Sequence, residues 1–390
     1  MDELGNITIN GRQYTWQTKQ TGAVGRMKVD KNFIALIHEI NGQVGVEKYG
    51  SELVELFRQC YREGVTIQQA TLELVNALFG NYGLVILIPD NANLKRAFNH
   101  VVEKELKEGF SHKAVAATIA ELSKSYKVQA GGRELNLFYL LADKRERIEK
   151  ENDKYVVKSL QLEWTEEEVL AELNEHPERF SANVILRGAY QETVLPNIAF
   201  IGGGGELAYW LELKKVFEAV NIPYPVLVLR NSFLVMDEQW KKKIASAGFT
   251  TQDIFKAEQE LLDIVVDKYS DNQFELNGQL TRIENYYADI KQLAIKIDGT
   301  LSGHVEALKT KTVNRLLQLE KKMKSAEKRK FAVQLVQIQK LKAALFPNNN
   351  LQERVENLSG FYAKHGSEII DILLQNSLDI QQQFAILTLH

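Results

Sequence analysis

The fold is decided by the stretch IAFIGGGGELAYW at positions 198–210. Its first half is a short apolar run, typical of a strand buried in a parallel sheet. Its second half begins an amphipathic helix predicted over 206–220, and four glycines form the turn between the two. A second apolar run, PVLVL, follows at 225–229. The order strand, helix, strand predicts a βαβ unit with a right-handed crossover.

Further strands are predicted on both sides of this unit. Apolar runs at 84–88 and 184–186 predict two more buried strands. Asn10-Gly11 lies between alternating apolar residues, which predicts a β-hairpin at the start of the chain. Segments at 135–141 and 155–157 flank a charged turn and predict an inserted meander.

The last third of the chain carries a heptad pattern, in which apolar residues alternate at spacings of four and three. The first seam comprises Leu276, Leu280, Ile283, Tyr287, Ile290, Ala294, Ile297 and Leu301. A second seam runs through 305–345 and ends before Pro347. A short break at 298–303 separates the seams, so we predict two long helices that fold back as an antiparallel coiled coil.

These patterns together predict an α/β fold with a parallel-sheet core, helical and β insertions, and a long C-terminal antiparallel α-helical coiled coil. Residues 1–82 form an N-terminal hairpin and helical segment, and 83–270 form the core, with an insertion at about 111–175. Residues 271–346 form the coiled coil. Residues 347–390 form a helical tail that docks on the core.

The composition excludes several classes of protein. Hydrophobic residues make up 45% and charged residues 25% of the 390 residues, which is typical of a globular protein. No apolar run approaches the ~18 residues of a membrane span, and the net charge of −3 gives no general attraction to nucleic acid. The single cysteine, Cys60, and a start without a secretory pattern favour the cytoplasm. The histidines show no metal-ligand spacing, so no metal is expected.

The glycine turn is the strongest candidate site. Backbone N–H groups at a helix start can bind a phosphate or carboxylate, and glycines allow a close approach. A nicotinamide site is disfavoured because Leu207 replaces the third glycine of the dinucleotide motif and Arg230 stands where that motif has an acid. A tight strand-helix turn is the alternative, but four consecutive glycines cost more backbone entropy than such a turn needs.

Polar residues follow the ends of the predicted strands. Arg187 and Gln191 follow one strand, and Arg230 and Asn231 follow another. Ligands of open α/β sheets bind beyond the carboxyl ends of the strands, so these side chains are predicted to converge on the glycine turn. The alternative is that the arginines are solvated charges at strand ends.

Several ordered motifs resemble one family. They are HPERFSANV at 176–184, LR at 186–187, QETVLPN at 191–197, GGGGELAYW at 202–210, PVL at 225–227 with RN at 230–231, LFPN at 345–348, LQER at 351–354 and Asn357. In these motifs the chain resembles the bacillithiol biosynthesis cysteine-adding enzymes. The resemblance implies a Rossmann-like core and a coiled coil that forms a homodimer.

The resemblance also implies an activity. Members are thought to join the cysteine carboxyl to the amine of glucosaminyl-malate, the last step of bacillithiol synthesis. An adenine nucleotide, ATP or ADP, is associated with the family near the coiled coil. By its place in the LQER motif, Arg354 is expected to contact that nucleotide.

The catalytic residues expected in this chain are Glu206 and Arg187. Glu206 is expected to hold the substrate amine or to orient Arg187. The residues expected to bind substrate are Asn183, Gln191, Gly202, Gly203, Gly204, Gly205, Tyr209, Arg230 and Asn231.

The chain departs from the family pattern in two respects. Gly204 and Gly188 stand where proline is common, which loosens both turns but keeps their backbone donors. The resemblance covers about the C-terminal three quarters of the family, with Met1-Asp2-Glu3 matching the end of an acidic motif. We therefore expect this chain alone to be inactive and prone to aggregation, which turnover by the purified chain would refute. The alternatives are a non-catalytic coiled-coil dimer that binds a nucleotide or sugar, and an inactive fragment.

Overall fold

The computed structural model describes residues 5–141, 143–272, 275–377, 380–381 and 383–389. Met1-Asp2-Glu3, matched above to an acidic motif, lie outside the described residues. The chain divides into two compact units. Unit 1 comprises Met1–Ser232 and Glu356–Ala385, and unit 2 comprises Phe233–Val355 and Ile386–His390.

The strands are β1 (Asn6–Ile9), β2 (Arg12–Thr15), β3 (Leu137–Leu141), β4 (Lys144–Arg147), β5 (Glu149–Glu151), β6 (Lys154–Val157), β7 (Leu162–Trp164), β8 (Phe180–Ala182), β9 (Ala199–Gly202), β10 (Val226–Leu229), β11 (Ser232–Asp237) and β12 (Phe384–Leu389). The α-helices are α1 (Lys31–Val44), α2 (Gly50–Cys60), α3 (Ile67–Phe79), α4 (Ala92–Ala97), α5 (Asn99–Glu108), α6 (Phe110–Leu122), α7 (Glu166–Glu175), α8 (Arg187–Val194), α9 (Gly204–Leu211), α10 (Lys214–Ala219), α11 (Glu238–Ser246), α12 (Glu258–Tyr269), α13 (Asn277–Ile297), α14 (Leu301–Lys328), α15 (Ala332–Leu345), α16 (Gln352–Val355), α17 (Leu358–His365) and α18 (Glu368–Gln375).

The N-terminal hairpin is confirmed. β1 and β2 pair antiparallel, with Ile9 opposite Arg12. The turn residues Asn10 and Gly11 have φ of 49° and 77°, the left-handed conformation that an Asn-Gly hairpin turn requires. Ile9 is buried on the inner face of the hairpin.

The predicted βαβ unit is also confirmed. β9 and β10 pair in parallel, from Ala199 opposite Val226 to Gly202 opposite Leu229. The connection between them is two helices, α9 and α10, where the sequence predicted one over 206–220. The break falls at Glu212, whose buried carboxylate accepts hydrogen bonds from the amides of Gln129 (2.7 Å) and Ala130 (3.0 Å).

Two predicted strands are wrong. Residues 84–88 are not part of a sheet, and Val85 is 79% exposed. An apolar run becomes a strand only when a partner satisfies its backbone groups, and the described chain supplies none here. Residues 184–186 form a turn instead, because the Asn183 Oδ1 accepts a hydrogen bond from the Ile185 amide at 2.8 Å. The helix α8 then begins at Arg187.

The predicted meander contains more strands than expected. β3 pairs with β4 and β8, and β6 pairs with β5 and β7, so the two predicted segments lie in different sheets. Their buried side chains include Tyr139 and Tyr155, which join Trp210 and Phe217 in one large core cluster of unit 1. A smaller cluster of the same unit is built on Trp16.

A buried carboxylate organises part of that large core. Glu105 is fully buried and accepts hydrogen bonds from the Ser111 amide (3.1 Å) and hydroxyl (2.7 Å). It also accepts from the Asn136 amide (2.9 Å) and side chain (3.4 Å). One side chain therefore joins α5, the start of α6 and the segment before β3.

The antiparallel coiled coil of unit 2 is confirmed. The Tyr287 hydroxyl of α13 lies 2.8 Å from the Thr312 hydroxyl of α14, and Lys291 pairs with Glu306 at 3.2 Å. Later residues of α13 thus meet earlier residues of α14. The predicted second helix is interrupted by a 3-10 turn at Arg329–Phe331 and continues as α15.

None of the helices in the described ranges combines the length and the apolar character that crossing a bilayer requires. An α/β core with insertions and a C-terminal antiparallel coiled coil are confirmed, and β9 and β10 are a parallel pair among the described strands.

Candidate functional site

The glycine turn joins β9 to α9. None of its four glycines has a positive φ, so backbone conformation alone does not require glycine there. A Cβ on Gly202 would lie 2.6 Å from a ring atom of Phe200, whereas Cβ atoms on Gly204 and Gly205 would meet nothing within 4 Å. Packing therefore favours glycine at Gly202. The last two glycines leave open space at the start of a helix.

Glu206 caps its own helix. Its Oε2 accepts a hydrogen bond from the Gly203 amide at 2.9 Å, so one of the predicted anion donors is already occupied. The amides of Gly204 and Gly205 lie in the first turn of α9, where N–H groups have no intrahelical acceptor. The other carboxylate oxygen of Glu206 makes no hydrogen bond within the described part of the chain.

Arg187 and Tyr209 are brought together. The Arg187 guanidinium donates a hydrogen bond to the Tyr209 hydroxyl and lies 5.4 Å from the centre of its ring. Tyr209 is on α9, the helix that begins at the glycine turn. The orienting partner of Arg187 is therefore Tyr209, while Glu206 is engaged with Gly203.

Two residues predicted to bind substrate, Asn183 and Gln191, bind other side chains of the protein. Asn183 forms the turn before α8, and its Nδ2 donates to the Asn136 side chain at 2.8 Å. Gln191 is exposed and donates to the neighbouring Glu192 at 3.1 Å. Neither side chain contacts the glycine turn among the described interactions.

Arg230 and Asn231 follow β10 beside the turn. The Arg230 amide donates to the Gly202 carbonyl oxygen at 2.9 Å, so the backbones converge as strand order predicts. The Asn231 Nδ2 is buried and has no hydrogen-bond acceptor among the described residues. An unpaired buried donor beside the turn is available to a ligand.

Arg354 lies in unit 2 and is exposed on the short helix α16. The two residues before Arg354 form hydrogen bonds with the backbone of the strand β11. Gln352 exchanges hydrogen bonds with the amide (3.0 Å) and carbonyl (2.9 Å) of Val235, and Glu353 accepts from the Phe233 amide at 3.0 Å. Two residues of the LQER motif therefore stabilise the fold of unit 2.

A cavity of about 450 Å³ in unit 1 also has Arg187 in its lining. The other polar residues of its lining include Arg26, Asp90, Lys95 and Asn99, none of which the sequence patterns identified. These residues come from distant segments with no shared motif. The one local signal is the apolar run that ends at Asp90.

Three charged residues of this lining form a compact cluster. Arg26 binds both oxygens of Asp90, at 2.6 and 2.7 Å, and Lys95 Nζ lies 3.0 Å from Asp90 Oδ1. Arg26 and Lys95 also donate to the carbonyl oxygen of Glu178, at 2.9 and 2.8 Å. We call Arg26, Asp90 and Lys95 the ion cluster.

Burial and pairing shift the pKa values of the ion cluster. Burial lowers the pKa of Lys95, and the nearby Asp90 carboxylate only partly offsets it. Burial alone would raise the pKa of Asp90, but the hydrogen bond from Arg26 and the charge of Lys95 lower it below its ordinary value. Beside the cluster, burial raises the pKa of Tyr190 to about 12, and its hydroxyl donates to the Pro89 carbonyl oxygen at 2.6 Å.

Unit 2 contains a separate cavity of about 560 Å³. Its lining includes Trp240, Tyr269, Lys243 and Lys340. The Lys243 ammonium lies 4.1 Å from the centre of the Trp240 ring. Among the described residues, no three His, Cys, Asp or Glu side chains are grouped so that they could bind a metal ion.

Comparison with known proteins identifies the family. Residues 1–231 match the family described as "Bacillithiol biosynthesis BshC, N-terminal Rossmann-like domain", and residues 233–389 match its "C-terminal coiled-coil domain". The chain belongs to the BshC family. The boundary between the matches coincides with the division of the units at Ser232 and Phe233, whereas Glu356–Ala385, which lie within the second match, belong to unit 1.

Similar proteins bear one name, "Putative cysteine ligase BshC". The protein of Flavobacterium johnsoniae is 38% identical over 388 residues, which cover 100% of this chain and 73% of that protein. The protein of Christiangramia forsetii is 37% identical over 395 residues, which cover 99% of this chain and 73% of that protein. The protein of Bacillus licheniformis is 28% identical over 334 residues, which cover 83% of this chain and 62% of that protein.

Proposed function

We propose that this chain is an amide-forming ligase of bacillithiol biosynthesis. Its substrates are cysteine and glucosaminyl-malate, joined in the last step of the pathway. The observation that carries the proposal is the similarity over the whole chain to proteins named cysteine ligase. The reducing compartment favoured by the single Cys60 is consistent with action in the cytoplasm.

The glycine turn supports a role in binding the negatively charged substrate. The amides of Gly204 and Gly205, with open space above them, suit a malate carboxylate. The buried Asn231 Nδ2 offers another donor nearby. Glu206 keeps one carboxylate oxygen that can accept a proton from the substrate amine. Arg187, oriented by Tyr209, suits the carboxylate of the second substrate.

Replacing Glu206 by glutamine tests this assignment. The amide oxygen of glutamine can still accept the Gly203 hydrogen bond, so the helix cap is retained. Loss of the carboxylate should lower the rate about 100-fold, which is typical of a lost general base. We expect deletion of the gene to abolish bacillithiol, a version extended to the full length of the similar ligases to restore it, and the same version carrying Glu206→Gln to restore far less.

The matched control is Glu218→Gln, which changes an exposed carboxylate on α10. Mass spectrometry of the small cellular thiols measures both variants. A thiol pool that Glu206→Gln restores fully would remove Glu206 from the mechanism. A thiol pool unchanged by the deletion itself would favour the alternative, a coiled-coil protein that only binds a nucleotide or sugar.

The cavity of unit 2 favours a nucleotide. Trp240 and Tyr269 offer aromatic faces for a base, and Lys243 and Lys340 offer charges for phosphates. ATP, when bound, supplies the phosphoryl group with which a carboxylate can be activated. Arg354 is not in the lining of this cavity, so its proposed nucleotide contact would need a separate place.

We propose a homodimer through the coiled coil. Near the end of α13, Leu293, which is not a seam residue, and Ile297, which is one, are 62% and 82% exposed, so both are accessible to a second copy of the chain. Lysine at both positions should convert a dimer to a monomer, because exposed apolar contacts hold such interfaces together. Light scattering after size-exclusion chromatography measures this change.

The control variant adds the same charges at two exposed polar positions of α14, Asn314→Lys and Gln318→Lys. It should remain dimeric. A dimer that survives lysine at Leu293 and Ile297 would contradict this interface.

A further inference from the structure

The unit 1 cavity contains a buried ammonium with an unused donor. Lys95 is 9% exposed, and its three N–H groups have two acceptors, Asp90 Oδ1 and the Glu178 carbonyl oxygen. The third N–H has no acceptor among the described residues. A buried charged donor without a partner is costly, so an acceptor supplied by a ligand would be favourable.

The same lining contains an unpaired acceptor. The Asn99 Oδ1 is buried and has no hydrogen-bond donor among the described residues, while its Nδ2 donates to the Leu173 carbonyl oxygen at 3.4 Å. Asn99 is the first residue of α5, which follows the helix α4 that carries Lys95, and both residues line the cavity. The cavity lining thus contains one unused donor and one unused acceptor.

The charge of the described lining favours an anion. Arg26, Lys95, Arg145 and Arg187 are its cations, and Asp90 is its acid. Asp90 is already engaged by Arg26 and Lys95, so it leaves little attraction for a second cation. Arg187 is the exposed cation of the lining and is held by Tyr209 of α9. The rest of the wall is largely apolar, including Phe98, Val102 and Leu173.

We propose that this cavity binds an α-amino acid, with its ammonium on Asn99 Oδ1 and its carboxylate between Lys95 and Arg187. The choice of cysteine as that amino acid rests on the proposed ligase function. Its short thiol side chain packs against the apolar wall. Its carboxyl group then lies at Arg187, which lines the cavity. Arg187 also contacts Tyr209 on α9, the helix that begins at the glycine turn. The cavity exceeds the size of one small amino acid, so the amine of the second substrate has room to enter.

Three small thiols test the proposal on the full 390-residue chain. Calorimetry in reducing buffer compares L-cysteine with 3-mercaptopropionate, which lacks the ammonium, and with cysteamine, which lacks the carboxylate. We expect cysteine to bind at least about tenfold more tightly than either analogue, because each analogue leaves one buried polar group unpaired.

The variant Asn99→Leu is close in volume and removes the acceptor. It should reduce the affinity for cysteine about tenfold and leave that for 3-mercaptopropionate unchanged. The control Asn93→Leu changes an exposed residue of α4 outside the lining and should bind all three compounds as the wild type does. A second variant, Asn99→Asp, keeps the shape and should bind cysteamine more tightly than the wild type.

The proposal is overturned if the wild-type chain does not bind cysteine, or if folded Asn99→Leu still distinguishes cysteine from 3-mercaptopropionate. Circular dichroism establishes that the variants are folded. If Asn99→Leu does not fold, Asn99→Asp provides the test. The two proposals fail separately. If cysteine binding depends on Asn99 but the bacillithiol pool is unchanged in the deletion strain, the cysteine site is supported and the ligase function is refuted.

Discussion

Replacing Asp90 by alanine should lower the free energy of unfolding of unit 1 by about 3 kcal/mol, because it leaves a buried lysine and a partly buried arginine without their carboxylate. The Asp90 side chain is 20% exposed and Lys95 is 10% exposed, so solvent can replace little of the lost attraction. Urea unfolding followed by the fluorescence of Trp164 and Trp210 measures the loss, since both rings pack in the core of unit 1.

A double variant provides the control. Adding Lys95→Met to Asp90→Ala removes one of the unpaired charges and should recover more than half of the lost stability. Equal stability of the single and double variants would show that Lys95 is not destabilised by the loss of Asp90.

The loss in free energy of unfolding caused by Asp90→Ala should also depend on pH. Burial already lowers the pKa of Lys95 in the folded chain, and removing Asp90 lowers it further. Between that lowered pKa and the ordinary value, the unfolded chain binds more protons, so the free energy of unfolding rises with pH. The loss in free energy of unfolding relative to the wild type should be smaller at about pH 9.5 than at about pH 7. The double variant lacks Lys95 and should not show this rise.

Replacing Glu105 by alanine should cost about 3 kcal/mol of stability. Glu105 accepts hydrogen bonds from the amides of Ser111 and Asn136 in a fully buried site, and alanine would leave both donors unpaired. Glu105→Gln keeps one acceptor oxygen and should cost less. The same urea titration measures each variant.

The matched control is Glu103→Ala on the same helix. Glu103 is 48% exposed, and its one ion pair among the described residues is with Lys107 at 2.5 Å, so its loss should cost less than about 1 kcal/mol. Similar losses for the two alanine variants would contradict the structural role given to Glu105.

Local patterns predicted the elements whose signals lie within a few residues. The Asn10-Gly11 turn fixes its hairpin because both residues adopt positive φ. The heptad spacing of α13 places residues such as Tyr287 and Ile290 on one stripe, and that stripe faces α14. The parallel pair of β9 and β10 follows from two apolar runs separated by one crossover.

The wrong predictions depend on distant residues. The run at 84–88 has the composition of a strand, but strand formation needs a partner from elsewhere in the chain. The helix predicted over 206–220 breaks because Glu212 is drawn to amides 82 and 83 residues away. No spacing within either segment carries that information.

The candidate site was predictable in part. The strand-helix order placed the glycine turn and Arg230 together, and their backbones do meet. The motifs placed Arg187 and Tyr209 in the same set, and they are in contact. The ion cluster and Asn99 were not predictable, because a lysine on a short amphipathic helix gives no sign of burial until its partners are known.

The ion cluster has a consequence for synthesis on the ribosome. The Glu178 carbonyl oxygen, which Arg26 needs, lies 152 residues further along the chain. A contact of such high sequence separation forms late, because a long loop must close first. Until residue 178 has emerged, the nascent chain carries Arg26 and Lys95 without that shared acceptor and helices without their final packing. The unit is therefore more exposed to misfolding during translation than after its fold is complete.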